Sequence, residues 1–329
     1  MYFFVGTCAL SIEGLRETRP ALIRTHAEKG DFMPSRRVRP VVLTVLFASL
    51  LTFANSAAAY GDDPEKPPCA PVTQFSSFNF SDSTKIDNKW NPLIPGTQFT
   101  LNGEADRGGG LLPHQVITTV TDLTKVVDGV RAVVILEKDL NEGELQEAEL
   151  NFQAQDNAGN IWNLGEYPEE YENGKFDAAP DVWIAGTSDT EPGNSMVGNP
   201  QLGSPEYLQG WSPEIEFLDC AKVAEMQQRT CVPASCYEDV MVTHERSPLE
   251  PESGYQLKYY APGIGTVRVG AVGDPEGETL VLTKVSQLSP NDLAKARQQA
   301  LELEKRAYKV SPVYRNTQPA DPPATVAGF

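Results

Sequence analysis

Carboxylates are the most abundant chemically capable side chains of this chain, with 45 Asp and Glu against 27 Lys and Arg. Two runs are dense. Glu137, Asp139, Glu142, Glu144, Glu147 and Glu149 form the first, and Glu166, Glu169, Glu170, Glu172, Asp177 and Asp181 the second. Two carboxyl groups facing each other across a cleft could hydrolyse a glycoside, one as the acid and the other as nucleophile or base. A row of acids on one solvated strand face is the plainer expectation from the charge pattern. Calcium is the one candidate cofactor. Asp156, Asn157 and Asn160, with Glu166 following, offer the hard oxygen donors it prefers. Their spacing departs from the EF-hand loop, and an Asp/Asn/Gly hairpin turn accounts for Asp156 to Asn160 without an ion. On that reading Gly159→Val costs about 1 kcal/mol or more through backbone strain. Asp156→Ala costs about 1 kcal/mol at most, the loss of one exposed hydrogen bond.

Nucleophilic machinery is not evident. Gly193-Asn194-Ser195-Met196-Val197-Gly198 lacks the spacing of a nucleophile elbow. Beyond residue 59 only His114 and His244 remain, and H-E-x-x-H does not occur. His244 and Glu245 are neighbours in a strand pattern, so their side chains point to opposite faces. Aromatic residues are concentrated instead: Trp162, Tyr167, Tyr171, Trp183, Tyr207 and Trp211, interleaved with Gly, Pro and Asp. Such rings can stack on sugars, hold an apolar ligand or fill a barrel core. Trp162, Trp183, Tyr207 and Trp211 are the candidate ligand-binding residues.

Compartment follows from the start of the chain and from its cysteines. Arg36, Arg37 and Arg39 precede the apolar run from Val41 to Ala54, and Ala57-Ala58-Ala59 follows it. Positive flank, apolar core and small-residue site are the parts of a secretory signal peptide, spanning 33–59 with cleavage before Tyr60. The run is shorter than the roughly 20 residues that a membrane-spanning helix needs, so the mature chain is expected to carry no transmembrane segment. Residues 1–32 read as an extension upstream of the true start at Met33. Residues 1–59 carry seven basic and four acidic side chains, so the rest of a chain of net charge −18 is more acidic still. That charge repels phosphate backbones and argues against a nucleic-acid partner. Cys69, Cys220, Cys231 and Cys236 remain, an even number in an exported chain. Cys231 and Cys236 can close a small loop, which leaves Cys69 to reach Cys220.

Strands must position these groups. Gln115–Leu123, Val130–Leu136, Leu145–Gln155, Ile161–Glu166, Val182–Gly186, Cys236–Glu245, Tyr255–Tyr260, Gly265–Ala271 and Thr279–Val285 are β-branched, aromatic or alternating. Asp128-Gly129 suits a tight hairpin turn. In the cleanest alternation, Ala148, Leu150, Phe152 and Ala154 form a dry face. Glu147, Glu149, Asn151, Gln153 and Gln155 form a wet one. The fold class is mainly β: an antiparallel meander forming a barrel, half-barrel or sandwich, with one C-terminal helix at 290–310. Ser289 caps that helix, and Leu293, Ala296, Ala300, Leu303, Ala307 and Val310 make its apolar stripe. Residues 60–72 read as a linker or arm pinned by Cys69, 73–310 as a single domain, and 311–329 as a disordered tail rich in Pro, Ala and Thr.

Several motifs together resemble a known group. Asn91-Pro-Leu-Ile-Pro-Gly-Thr97, Val120-Thr-Asp-Leu-Thr-Lys125, Ala154-Gln-Asp-Asn-Ala-Gly-Asn160-Ile-Trp162, Thr243-His-Glu-Arg-Ser-Pro-Leu-Glu-Pro251 and Lys258-Tyr-Tyr-Ala-Pro-Gly-Ile-Gly265 carry the likeness. Over roughly residues 90–270 the chain resembles uncharacterised exported bacterial β-domain proteins. The segment ending in Gly265 is also similar to the last strands of half-barrel periplasmic lipoproteins that carry acyl chains. The first resemblance implies export and a single β-domain, with no activity attached. The expected function is an exported, non-catalytic β-domain, periplasmic or extracellular, that binds a small apolar or sugar-like ligand, a glycan or an envelope partner. The alternatives are a secreted hydrolase using paired carboxylates and a calcium-stabilised structural module.

Overall fold

A computed structural model describes residues 67–107 and 110–322. The expected upstream extension and signal peptide, the first part of the expected arm and the last part of the expected tail lie outside the described residues. Fourteen strands and one long helix follow in order. They are β1 (Thr97–Asp106), β2 (Leu111–Val127), β3 (Val130–Asn141), β4 (Glu144–Gln155), β5 (Ile161–Glu172), β6 (Lys175–Phe176), β7 (Trp183–Ile184), β8 (Glu191–Met196), β9 (Tyr207–Ser212), β10 (Phe217–Val232), β11 (Ser235–Arg246), β12 (Tyr255–Ala261), β13 (Gly265–Val272), β14 (Thr279–Gln287) and α1 (Pro290–Val310). The hydrogen-bonded order is β4-β3-β2-β1-β14-β13-β12-β11-β10-β9-β8-β5, and β5 pairs back onto β4. The result is a closed twelve-stranded antiparallel barrel, with β6 and β7 paired to β5 outside the ring. Closure leaves no unpaired edge in that ring.

Local chemistry explains the reversals. Asp128 and Gly129, between β2 and β3, both hold positive φ, 44° and 77°, the geometry of the two-residue turn that matches strand twist. Strands β8 and β9 and the first half of β10 carry no clean alternation, and the sequence did not mark them.

Register decides which face is inside. Leu101 pairs with Val116, Val116 with Asp139, Asp139 with Glu147 and Glu147 with Glu170. Glu149 lies opposite Glu137 and Asn151 opposite Glu166. This face is the barrel interior. It is apolar on β1, β13 and β14 (Leu101, Val269, Leu280, Leu282) and acidic on β3, β4 and β5. The expected solvated acidic face is therefore corrected: Glu149, Asn151 and Gln153 are buried. The apolar residues Ala148, Leu150, Phe152 and Ala154 point outward and are covered by Ala300, Leu303, Ala307 and Tyr314 of the C-terminal segment. Alternation reveals two faces of a strand, but closure and the helix determine which of them meets water.

The helix starts as its sequence requires. Ser289 Oγ accepts from Asp292 N at 3.2 Å, and Pro290 opens the first turn. Its packed stripe is Ala296, Ala300, Leu303 and Ala307, whereas Val310, expected within it, is 43% exposed. Arg306 grips the buried Glu169 through its Nε and Nη2. Beyond the helix the expected disordered tail is corrected for 311–322. Tyr314 is fully buried, and Asp321 exchanges backbone hydrogen bonds with Thr124. Glu304 anchors this return, accepting from Lys125 Nζ at 2.9 Å, Tyr314 Oη at 3.1 Å and Ala320 N at 3.0 Å.

Candidate functional site

The Asp156 to Asn160 turn is an intramolecular hydrogen-bonding device. Asp156 Oδ1 accepts from Ala158 N and Asn160 N, both at 2.9 Å. Its Oδ2 accepts from Asn160 Nδ2 at 2.8 Å and from Trp162 Nε1 at 2.9 Å. Asn157 Oδ1 accepts from the backbone and hydroxyl of Ser81, and Asn160 Oδ1 from Gly198 N. Glu166 stands apart from these three, bonded to Asn151, Asn163 and Trp183. The four residues considered for calcium are thus divided between two networks, each filled by protein donors. Among the described residues no group of three or more His, Cys, Asp or Glu is arranged to hold a metal ion.

The candidate aromatic residues are dispersed. Trp162 is buried under Phe75, 5.3 Å between ring centroids, on the outer face. Trp183 lies on the inner face, stacked on Phe217 at 5.3 Å, with Nε1 donating to Glu166 at 3.1 Å. Trp211 packs beside the Cys69–Cys220 disulfide. Tyr207, unlike the three tryptophans, lines the cavity between the N-terminal arm and the barrel end.

That cavity forms where β8 and β9 part. The two strands pair only at Glu191–Trp211 and Pro192–Gly210. Beyond that point the N-terminal arm enters the gap, with Val72 N on Asn194 Oδ1 at 2.9 Å and Leu208 N on Ala70 O at 3.0 Å. The Cys69–Cys220 disulfide fastens the arm to β10. A second disulfide, Cys231–Cys236, joins the tips of β10 and β11. Between the arm, the β8–β9 loop and the barrel end lies a half-open space of about 720 Å³, bounded by Val72, Val197, Pro200, Pro205, Tyr207 and Val223. Tyr207 is 3% exposed, and its hydroxyl has no hydrogen-bond partner among the described residues. Burial pushes this phenol well up, and the charge of Glu245 adds to the effect.

The barrel interior is electrostatically loaded. Burial, reinforced by the charge of Glu166, pushes Glu149 well above the usual carboxylate range. Burial pushes Glu147 up to about 8, with the charges of Asp139 and Glu137 adding to it. Burial likewise raises Asp139 to about 6, against the pull of His114. Asp219 rises to about 8 through burial and the charge of Glu166. His114, 2% exposed, reaches Glu278 Oε1 at 2.7 Å, Asn141 Oδ1 at 2.8 Å and Asp139 Oδ1 at 3.3 Å. Burial pulls the imidazole down, but the Glu278 hydrogen bond and the two carboxylate charges outweigh it, so its pKa is raised. Lys258 and Glu245 form a buried pair at 2.6 Å, with Thr243 donating to the same carboxylate. Sequence reasoning missed the cavity residues Val197 and Val223 and this buried pair. Apolar residues near turns, and charges in alternating strands, look alike whether they face a lumen or water. His244 lies on β11 beside Tyr255, away from the His114 cluster.

No family model and no curated protein matches this chain. Two solved structures are loosely similar. A Bacteroides fragilis protein described as exported and of YmcC-like fold is 16% identical, with a TM-score of 0.37, over 60% of this chain and 99% of its own. A Parabacteroides distasonis protein described as a lipoprotein is 13% identical, with a TM-score of 0.35, over 61% of this chain and 100% of its own.

Proposed function

We propose that this is an exported β-barrel binding protein that holds a small, mainly apolar ligand at the barrel end closed by the N-terminal arm. The half-open space of about 720 Å³ carries the reading. Its lining sets Val72, Val197, Val223, the prolines and the Tyr207 side chain beside a few polar groups, Asn160, Asn199, Gln201 and Glu206. A few placed polar groups in an apolar wall are the usual make-up of a small-molecule site, and the volume falls in the usual range of roughly 300–1,000 Å³. Export is supported by the signal-like leader of the sequence and by the two disulfides, which suit an oxidising compartment.

The hydrolase reading draws less support. Glu149 and Glu166 do converge, but they share one amide donor in a buried network rather than facing each other across a cleft. The test is titration with N-phenyl-1-naphthylamine, a neutral apolar fluorophore. Saturable binding is expected in the wild type and its loss in Ser204→Trp, a substitution in the exposed loop bordering the cavity. Equal binding by both proteins would refute the site.

A further inference from the structure

We infer that the wedge between the first turns of α1 and the outer face of β14, β1, β2 and β3 binds a compact organic anion, one carboxylate or phosphate head on an apolar body. The site is separate from the arm-covered cavity and independent of it. It encloses about 400 Å³, within the range of small-ligand sites, roughly 300–1,000 Å³. Its floor sets the apolar Ile117, Leu136, Leu288 and Ala296 beside the uncharged polar Gln98, Thr119 and Ser286, and three lysines rim it: Lys138, Lys284 and Lys295.

Three cations on one groove are unexpected in a chain of net charge −18, where acids are available to neutralise each of them. Lys138 has not taken one. Its Nζ donates to a neutral acceptor, Gln299 Oε1, at 2.7 Å. Burial lowers its pKa, and no carboxylate offsets the effect. Lys284 makes no hydrogen bond or ion pair to a described residue, and its side chain lines the groove from β14. Asp292 is the one carboxylate lining the wedge, and both its oxygens are engaged, Oδ1 by Lys295 at 2.8 Å and Oδ2 by Ser289 Oγ at 2.7 Å. Partly desolvated lysine charge above a partly apolar floor is complementary to a ligand that is anionic at one end and apolar at the other.

The experiment is an NMR and calorimetric titration of the intact mature protein with hexanoate and hexyl phosphate. Hexylamine, hexanol and inorganic phosphate serve as comparisons. Saturable binding of at least one organic anion is expected, weakened at least about tenfold in Lys284→Glu and in Lys138→Gln, and retained in Lys284→Arg. Lys284 is exposed, so its substitution tests the charge without endangering the fold. Binding of N-phenyl-1-naphthylamine in the other cavity should not change in these variants, which separates failure of this site from failure of that one. The proposal is overturned if neither organic anion binds, if hexylamine binds as tightly as hexanoate, or if the lysine substitutions leave affinity unchanged. It is equally overturned if inorganic phosphate binds as tightly as hexyl phosphate, which would make the groove a plain anion site.

Discussion

Glu149 and Glu166 accept hydrogen bonds from the same amide, Asn151 Nδ2, at 3.2 and 3.0 Å. All three side chains lie in the barrel interior and are at most 7% exposed. One donor between two carboxyl groups is the arrangement expected where burial keeps at least one of them protonated. Asn151→Leu leaves both acids without that donor and should destabilise the protein by about 1–3 kcal/mol. Glu149→Gln preserves shape and removes a latent charge, so it should be neutral or stabilising at pH 8. Urea melts of the two variants check the contrast; equal losses would contradict it.

Stability should rise as pH falls from about 8 to about 5.5. Glu147 and Asp219 have folded pKa values of about 8 and Asp139 of about 6, against roughly 4 when unfolded. An acid with a raised folded pKa binds its proton more tightly in the folded state, so the folded state loses ground as pH climbs between those values. His114 acts in the same direction. Its raised folded pKa gives stability that is complete below the unfolded value, about 6.5, and lost as pH rises through the folded value. Even one unit of net shift is about 1.4 kcal/mol, or a few degrees in a domain of this size. Calorimetric scans from pH 5.5 to 8.5 should show Tm falling by several degrees; a flat or rising profile would contradict the protonated interior.

The Asp156 turn reverses an order of effects expected from the sequence. Gly159 has φ of +84°, but a Cβ there would meet nothing nearer than Gly198 Cα at 3.7 Å, so the cost of Gly159→Val is chiefly backbone strain, about 1 kcal/mol. Asp156 is 6% exposed and satisfies four donors, among them the buried indole of Trp162. Asp156→Ala should therefore cost more, about 2–4 kcal/mol. Thermal melts with calcium and with chelator should coincide for the wild type. A calcium-dependent rise in Tm that disappears in Asp156→Ala would favour the calcium site instead.

The two disulfides should differ in function. Cys69–Cys220 closes a long loop and ties the arm over the cavity. Its loss in Cys69→Ala with Cys220→Ala should cost about 2–5 kcal/mol and weaken probe binding. Cys231–Cys236 spans five positions at a hairpin tip, and its removal should leave probe binding unchanged. Paired titrations of the two double variants check this; equal loss of binding in both would remove the arm from the account.

Much of the architecture was legible because it is local. The Asp128-Gly129 turn, the Ser289 cap and the alternation along β4 each depend on a few neighbouring residues. What was not legible depends on closure. The barrel seam joins β4 to β5, while β1 pairs with β14 across most of the chain. Nothing in β4 itself tells Glu149 that it will face a lumen. The aromatic cluster misled for the same reason: Trp162 and Trp183 are near in sequence but lie on opposite faces, Trp211 packs on the Cys69–Cys220 disulfide, and of the four candidates only Tyr207 reaches this cavity. The end of the chain deceived by composition, since Tyr314 finds a place over Phe152 and Tyr167 that its Pro-rich neighbours do not announce.

The space beside Tyr207 is proposed to hold a small apolar molecule. Native mass spectrometry of the mature protein purified from its own host tests it most directly. A population heavier than the polypeptide by one small non-covalent ligand is expected, released on denaturation and absent from Ser204→Trp. A bare polypeptide mass in both proteins, together with no uptake of added N-phenyl-1-naphthylamine by the wild type, would contradict it.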